Sequence, residues 1–279
     1  MTSGPGDPIT SDYTLAYGTH PNPQDGRCAM EWVAHIAGER HSDQPACVSP
    51  VVRALCVALN DGLDCSARQR LRPYLTRTIG TSGDGLDERR AWMALDWLIR
   101  VYAPAWLRRA GLHEDATRLA ADDNLASDSC SLVHALDELG DARATARAAR
   151  QDEFGDVVHW ALAVAGGETG SESAWSFAAA GAWGAARLAI GDRRAERART
   201  DVKALAGDCA AIVVRRARRD PSTRRTLLGG RPSAALLLRP VTAELAASAI
   251  ELLDRMLPTV ELDGSLGAAL TAAAADPAG

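Results

Sequence analysis

Apolar residues recur along this chain at helical intervals. Between 48 and 59, Val48, Val51, Val52, Leu55, Cys56 and Leu59 fall at i, i+3, i+4 and i+7, the stripe of a helix that buries one side. Ser49 followed by Pro50 supplies an N-cap and a first-turn proline. The stretch from Asp87 to Arg109 places Trp92, Leu95, Leu98 and Ile99 on one side, and Pro104 is expected to kink or split it. Further helical patterns run through about 128–139, 142–165, 172–190, 193–219 and 233–256. Gly140, "GGETGS", Gly191, "DPS" and "GGRPS" are the expected breaks. The one β-branched run of note, "AIVV" at 211–214, lies inside a helical pattern. The predicted fold is therefore all-α, a multi-helix bundle with an Ala-rich C-terminal half.

Breaks in this pattern suggest an organisation. Residues 1–26 are rich in Pro, Gly, Ser and Asp without periodicity, which predicts a disordered or loosely docked tail. Hydrophobicity drops at 111–127, the natural place for a division. We therefore expect an N-terminal bundle at 27–111 and an Ala/Trp-rich bundle at 112–257, separate or continuous with the first, then a tail at 258–279. Trp160, Trp175 and Trp183 are expected to fill the core between alanine-faced helices.

Charge changes the picture little. The chain has 31 basic and 36 acidic residues, a net charge of −5, so nothing draws it as a whole to nucleic acid or to an anionic membrane. Lys203 is its sole lysine, and alanine is abundant, as a G+C-rich genome would produce. No segment has the apolar length to span a membrane and no signal-peptide pattern opens the chain. The six cysteines form no C-x-x-C pair, and they read as reduced thiols of a cytoplasmic protein.

Candidate chemistry gathers in "RCAMEWVAHIAGERHSDQPACVSP", residues 27–50. On a helix over 28–39, at about 100° per residue, Cys28, Glu31, Trp32, His35 and Glu39 share one arc, opposite Ala29, Met30, Val33, Ile36 and Ala37. Two readings follow. Cys28, Glu31 and His35, completed by His41 or Cys47 from the following loop, supply ligand types that suit zinc. The same residues equally make a polar helix face, with Ser42, Asp43 and Pro45 shaping a turn. A nucleophilic cysteine is a third expectation, although Cys28 and His35 stand about 10 Å apart along the axis. The spacing matches neither H-E-x-x-H nor a standard zinc module.

The segments "RCAMEWVAHIAGE", "SDQPACVSPVVRAL" and "ERRAWMALDWLIRVYAPAWLRRAGL", with "LAASAIELLDRM" at 246–256, resemble a group of actinobacterial and actinophage proteins. The resemblance covers roughly 27–110 and 241–257. It implies a helical fold and a bacterial or phage origin, and it transfers no catalytic residue because no activity is assigned to the group. It also implies that Cys28, Glu31, Glu39, Asp43 and Cys47 belong to the shared pattern, with His35 incidental to it.

Two further clusters carry chemistry of their own. "RRARRDPSTRRTLLGGR" presents Arg215, Arg216, Arg218, Arg219, Arg224, Arg225 and Arg231, a surface for phosphates, but no aromatics interleave for base stacking. "DEFGDVVHW" sets Asp156 and His159 at i, i+3, a faint echo of the di-iron helix element, and His134 with Glu138 has the wrong spacing to complete it. Walker A, dinucleotide and G-x-S-x-G patterns are missing. The leading expectation is an interaction or regulatory protein that binds a protein partner or itself through helix faces. A small enzyme using Cys28, Glu31 and Cys47, with or without a metal, is the alternative, and polyanion binding through the arginines is a third.

Overall fold

A computed structural model describes residues 13–121, 129–150, 174–190, 192–220 and 231–258. Among these residues the regular elements are helical and no strand occurs. The helices are α1 (Ala29–Ile36), α2 (Pro50–Gly62), α3 (Cys65–Arg68), α4 (Arg72–Thr78), α5 (Asp87–Asp96), α6 (Ala103–Ala110), α7 (His113–Ala120), α8 (Ser129–Arg150), α9 (Ala174–Ile190), α10 (Asp192–Arg219) and α11 (Arg231–Met256). None of the described helices is long and apolar enough to cross a membrane.

Helix α2 forms as its sequence requires. Ser49 Oγ accepts from the backbone N–H groups of Val51 and Val52 at 3.2 and 3.3 Å, Pro50 opens the first turn, and the stripe Val51, Val52, Leu55, Cys56 and Leu59 is buried. A second helix, α9, lies close along it. A Cβ built on Gly181 would stand 2.5 Å from Ala58 Cβ and 3.2 Å from Ala54 O, so only glycine lets the two backbones approach this far. One continuous apolar cluster runs from Leu15 through α2, α5 and α6 to α10 and α11.

Pro104 neither breaks nor ends the run from Asp87 to Ala110. Between α5 and α6 the chain takes a π-helical turn, Trp97–Tyr102, in which Ala103 N–H bonds to Leu98 O, five residues back. The wider turn removes the demand for a Pro104 N–H and relieves its ring from the preceding carbonyl. This segment is buried on nearly every side: Trp97, Leu98, Ile99, Tyr102 and Trp106 are all within the core. Trp97 and Trp106 are thus the large core fillers seen here. Trp183 is instead half-buried, its ring faced by Arg199 at 4.7 Å and Arg187 at 5.6 Å, while Trp160 and the side chain of Trp175 lie outside the described residues.

Gly140 does not interrupt α8 either. Leu132, Ala135, Leu139, Ala142 and Ala146 are buried at alternating three- and four-residue steps, as are Ala198, Val202, Leu205, Cys209 and Ile212 of α10. The seams meet with Arg143 bonded to Asp201 at 2.6 Å and Arg150 to Asp208 at 2.8 Å, both pairs 58 residues apart, so the two helices run in the same direction. Coiled-coil-like packing on both sides of Gly140 outweighs its propensity cost of about 1 kcal/mol.

The tail expected over the first 26 residues is, from residue 13 onward, tied to the bundle. Leu15 is 1% exposed, and the run 13–27 crosses α1 and the end of α2 before entering α1 through Cys28. At the other end, Arg90, itself 1% exposed, grips Asp84 through both guanidinium nitrogens at 2.6 and 2.7 Å and donates to Met256 O at 2.9 Å. Arg77 joins it there by pairing with Asp254.

Candidate functional site

The polar arc expected over 28–39 is divided by the way α1 begins and ends. Cys28 is the N-cap rather than a helical residue, and with Glu31 it forms a capping box in which a thiol takes the place of the usual hydroxyl. Glu31 Oε2 accepts from Cys28 N–H at 2.7 Å. At the far end Gly38, with φ 72°, turns the chain out of the helix while Glu39 N–H bonds back to Ala34 O at 2.9 Å. Glu39 therefore leaves the arc that a helix to 39 would have given it.

Glu31 turns inward. Its carboxylate, 2% exposed, accepts from His20 N–H at 2.6 Å, from the ring Nδ1 of His20 at 2.8 Å and from Cys28 N–H, and His41 Nε2 lies 3.8 Å away. The carboxylate accepts, so His20 Nδ1 carries the proton. Burial pushes the Glu31 pKa up, but the N–H donors and the His20 ring outweigh it and hold the group below the ordinary carboxylate range. His41 donates through Nε2 to His20 O at 2.8 Å.

Glu39 serves a second, separate position. Its two oxygens accept from Ala46 N–H at 2.7 Å and Cys47 N–H at 2.9 Å, and the Cys47 thiol also turns to it. The Cys47 carbonyl in turn receives Gly80 N–H and Ser82 N–H at 3.0 and 3.1 Å. Cys28, Glu31, His20 and His41 thus form one group, and Glu39 with Cys47 another. Among the described residues no set of three or more His, Cys, Asp or Glu side chains is arranged to hold a metal ion.

Both thiols are held protonated. Burial, with Glu31 beside it, pushes Cys28 up to about 12, and burial with the Glu39 carboxylate pushes Cys47 up to about 11. A protonated thiol is a weak nucleophile and a weak ligand. Neither cysteine is in a disulfide. His35 is exposed, its ring edge-on to Trp32 at 5.6 Å, and Asp43 has no hydrogen-bond partner among the described residues.

The sequence reading missed His20, Asn60, Asp61 and Gln69. Gln69 accepts from Leu15 N–H at 2.9 Å and donates to Leu15 O at 3.1 Å. Asn60 donates to Ala16 O at 3.0 Å, and Asp61 accepts from Gly18 N–H at 3.1 Å. The polar groups around Glu31 therefore read the main chain of residues 15–20. Tyr13 adds a stack on Trp32 at 4.3 Å, flanked by Arg72 over Tyr13 and Arg27 over Trp32.

The expected arginine surface is altered. Arg215 donates to Arg150 O at 2.7 Å and Ala149 O at 2.8 Å, so it closes the end of α8 rather than facing solvent as a phosphate ligand. The Arg216 guanidinium lies against Gly111, where a side chain would collide with it, and Arg219 is exposed. Arg224, Arg225 and the side chains of Arg218 and Arg231 lie outside the described residues, as do Asp156 and His159. His134 is 3.6 Å from Glu138, which also faces Arg100 at 3.4 Å. No protein-family model, curated protein or solved structure matches the chain.

Proposed function

We propose that this chain is a helical interaction protein, regulatory rather than catalytic, that binds a protein partner or itself. One observation carries the reading: the polar groups of the candidate site are directed at polypeptide main chain. Glu31 accepts two backbone N–H groups, Glu39 accepts two more, and Gln69, Asn60, Asp61 and His41 take N–H or C=O groups of residues 15–20. Side chains arranged in this way recognise a peptide backbone whatever its side chains, and the Leu15 position adds selectivity for an apolar residue. The surface beside them holds Tyr17, 61% exposed, with Trp32, Arg27 and Arg72, residue types that dominate protein contacts. The free thiols of Cys28, Cys47, Cys56, Cys65 and Cys209 support a cytoplasmic setting.

Light scattering coupled to size exclusion, on protein purified under reducing conditions, tests the reading. A mass above that of one chain, or a stoichiometric bound polypeptide, is expected. A strictly single-chain species with a turnover activity abolished by Glu31→Gln would replace it with the enzyme reading.

A further inference from the structure

Residues 13–20 carry no helix or strand of their own, and the bundle holds them as it would hold a separate peptide. Leu15 is the single apolar anchor of the run that is fully buried. Its other ties include hydrogen bonds between its main chain and Gln69, Asn60, Asp61, Glu31, His41 and Trp32, together with the Tyr13 ring on Trp32, the His20 ring on Glu31, and Arg72 and Arg68 over the rings of Tyr13 and Tyr17. Water replaces main-chain bonds of this kind when a segment lifts away, so opening here costs only a part of what unfolding the bundle costs.

The link to α1 suits such an opening. Residues 21–26 read "PNPQDG": two prolines restrict collapse, and Gly26, with φ 126°, makes the turn into α1. Drawn out, six residues reach about 20 Å. Ala16 N–H bonds to Arg27 O at 2.8 Å, so the segment folds back over its own connection when it docks. The same bond is available to an identical segment arriving from elsewhere.

From these relationships we infer that residues 13–20 are an exchangeable segment, and that a second copy of this chain delivers its own residues 13–20 to the groove formed by Glu31, His41, Asn60, Asp61 and Gln69. The inference rests on the interaction reading above and names its contact. A second copy is the occupant because the groove matches this segment in side chains as well as main chain. It buries a leucine and, five residues on, receives an imidazole on a buried carboxylate. In the exchanged pair each Glu31 is completed by the His20 of the other chain, and every hydrogen bond of the single chain is kept.

Shortening the link tests this in the full chain. Deleting Asn22, Pro23 and Gln24 keeps residues 13–20 from reaching their own groove but not a neighbour's. The expected result is a two-chain light-scattering mass that persists on dilution to concentrations at which the unshortened pair separates into single chains, with an unchanged helical circular-dichroism signal. Adding Leu15→Asp to the deletion should return the mass to one chain. A fluorescent peptide spanning Tyr13 to His20 should bind this last variant, whose groove is vacant, and should not bind it when Gln69→Ala and Asp61→Ala are also present. A shortened chain that stays single overturns the exchange, as does a folded vacant groove that ignores the peptide. A two-chain mass that survives Leu15→Asp also overturns it, while leaving the broader interaction reading in place through another surface.

Discussion

Glu31 and His20 meet at 2.8 Å, a carboxylate in the first turn of α1 and an imidazole eleven residues earlier in the chain. The same carboxylate binds the His20 N–H, so one buried acid fixes both the ring and the backbone of one residue. Glu31→Gln should cost about 2 kcal/mol, since an amide oxygen accepts less strongly and its NH2 group faces donors. Chemical denaturation at pH 7 measures the difference.

That contribution depends on pH with a definite sign. The folded Glu31 titrates below its ordinary range, so its stabilisation is fully present above the unfolded value, about 4.3. It is lost as the pH falls through the lower, folded value. The gap in melting temperature between wild type and Glu31→Gln should therefore be constant near neutrality and close in strong acid. A gap that instead widened on acidification would show that the carboxylate is not held ionised.

Two glycines in α9 should respond in opposite directions to the same substitution. Gly181→Ala drives a methyl onto Ala58 and the Ala54 carbonyl, and should destabilise by about 1–3 kcal/mol. Gly184→Ala meets only Ala54 Cβ at 3.9 Å, an ordinary contact, and should stabilise by up to about 1 kcal/mol through helix propensity. Thermal melts of the pair separate close backbone approach from general loss of glycine.

Arg90→Met should be costly. It leaves Met256 O without its donor and Asp84 without its forked partner, at about 3–5 kcal/mol. Because Arg90 and Arg77 together hold the end of α11, the variant should also lose amide protection in residues 250–257 before the rest of the bundle. Hydrogen exchange read by mass spectrometry reports both effects.

Thiol labelling distinguishes positions that look alike in sequence. Cys65 is exposed, whereas Cys28, Cys56 and Cys209 are buried. Cys65→Ser should remove one rapidly modified thiol per chain, and Cys28→Ser none. A fast phase that vanished with Cys28→Ser would restore a reactive cysteine to the candidate site.

What was legible in the sequence follows the range of the forces involved. Helix α2 could be read from 48–59 because its cap, its proline and its apolar stripe are all local. In sequence Gly140 reads as a break and Pro104 as a kink or split, because each is unfavourable locally. Tertiary packing overrides the first, and a change of hydrogen-bond period absorbs the second. Periodicity gathers the polar residues of 28–39 on one arc, but a single Gly38 decides that Glu39 leaves the helix, and periodicity does not register a turn of that kind. His20 was invisible for a different reason. It stands among prolines and glycines, and its partners are Glu31 and His41, contacts made only once the chain has folded back.

The common direction of α8 and α10 bears on how the chain reaches its fold. Neighbouring helices that point the same way cannot close as a local hairpin, because the chain must first return along their length. Rungs such as Arg143–Asp201, 58 residues apart, therefore carry a loop-closure cost that no short-range contact defrays. The pair is therefore expected to form late, on the native side of the rate-limiting barrier. Ala142→Gly, in the middle of that seam, should then speed unfolding while leaving the refolding rate nearly unchanged in a stopped-flow chevron.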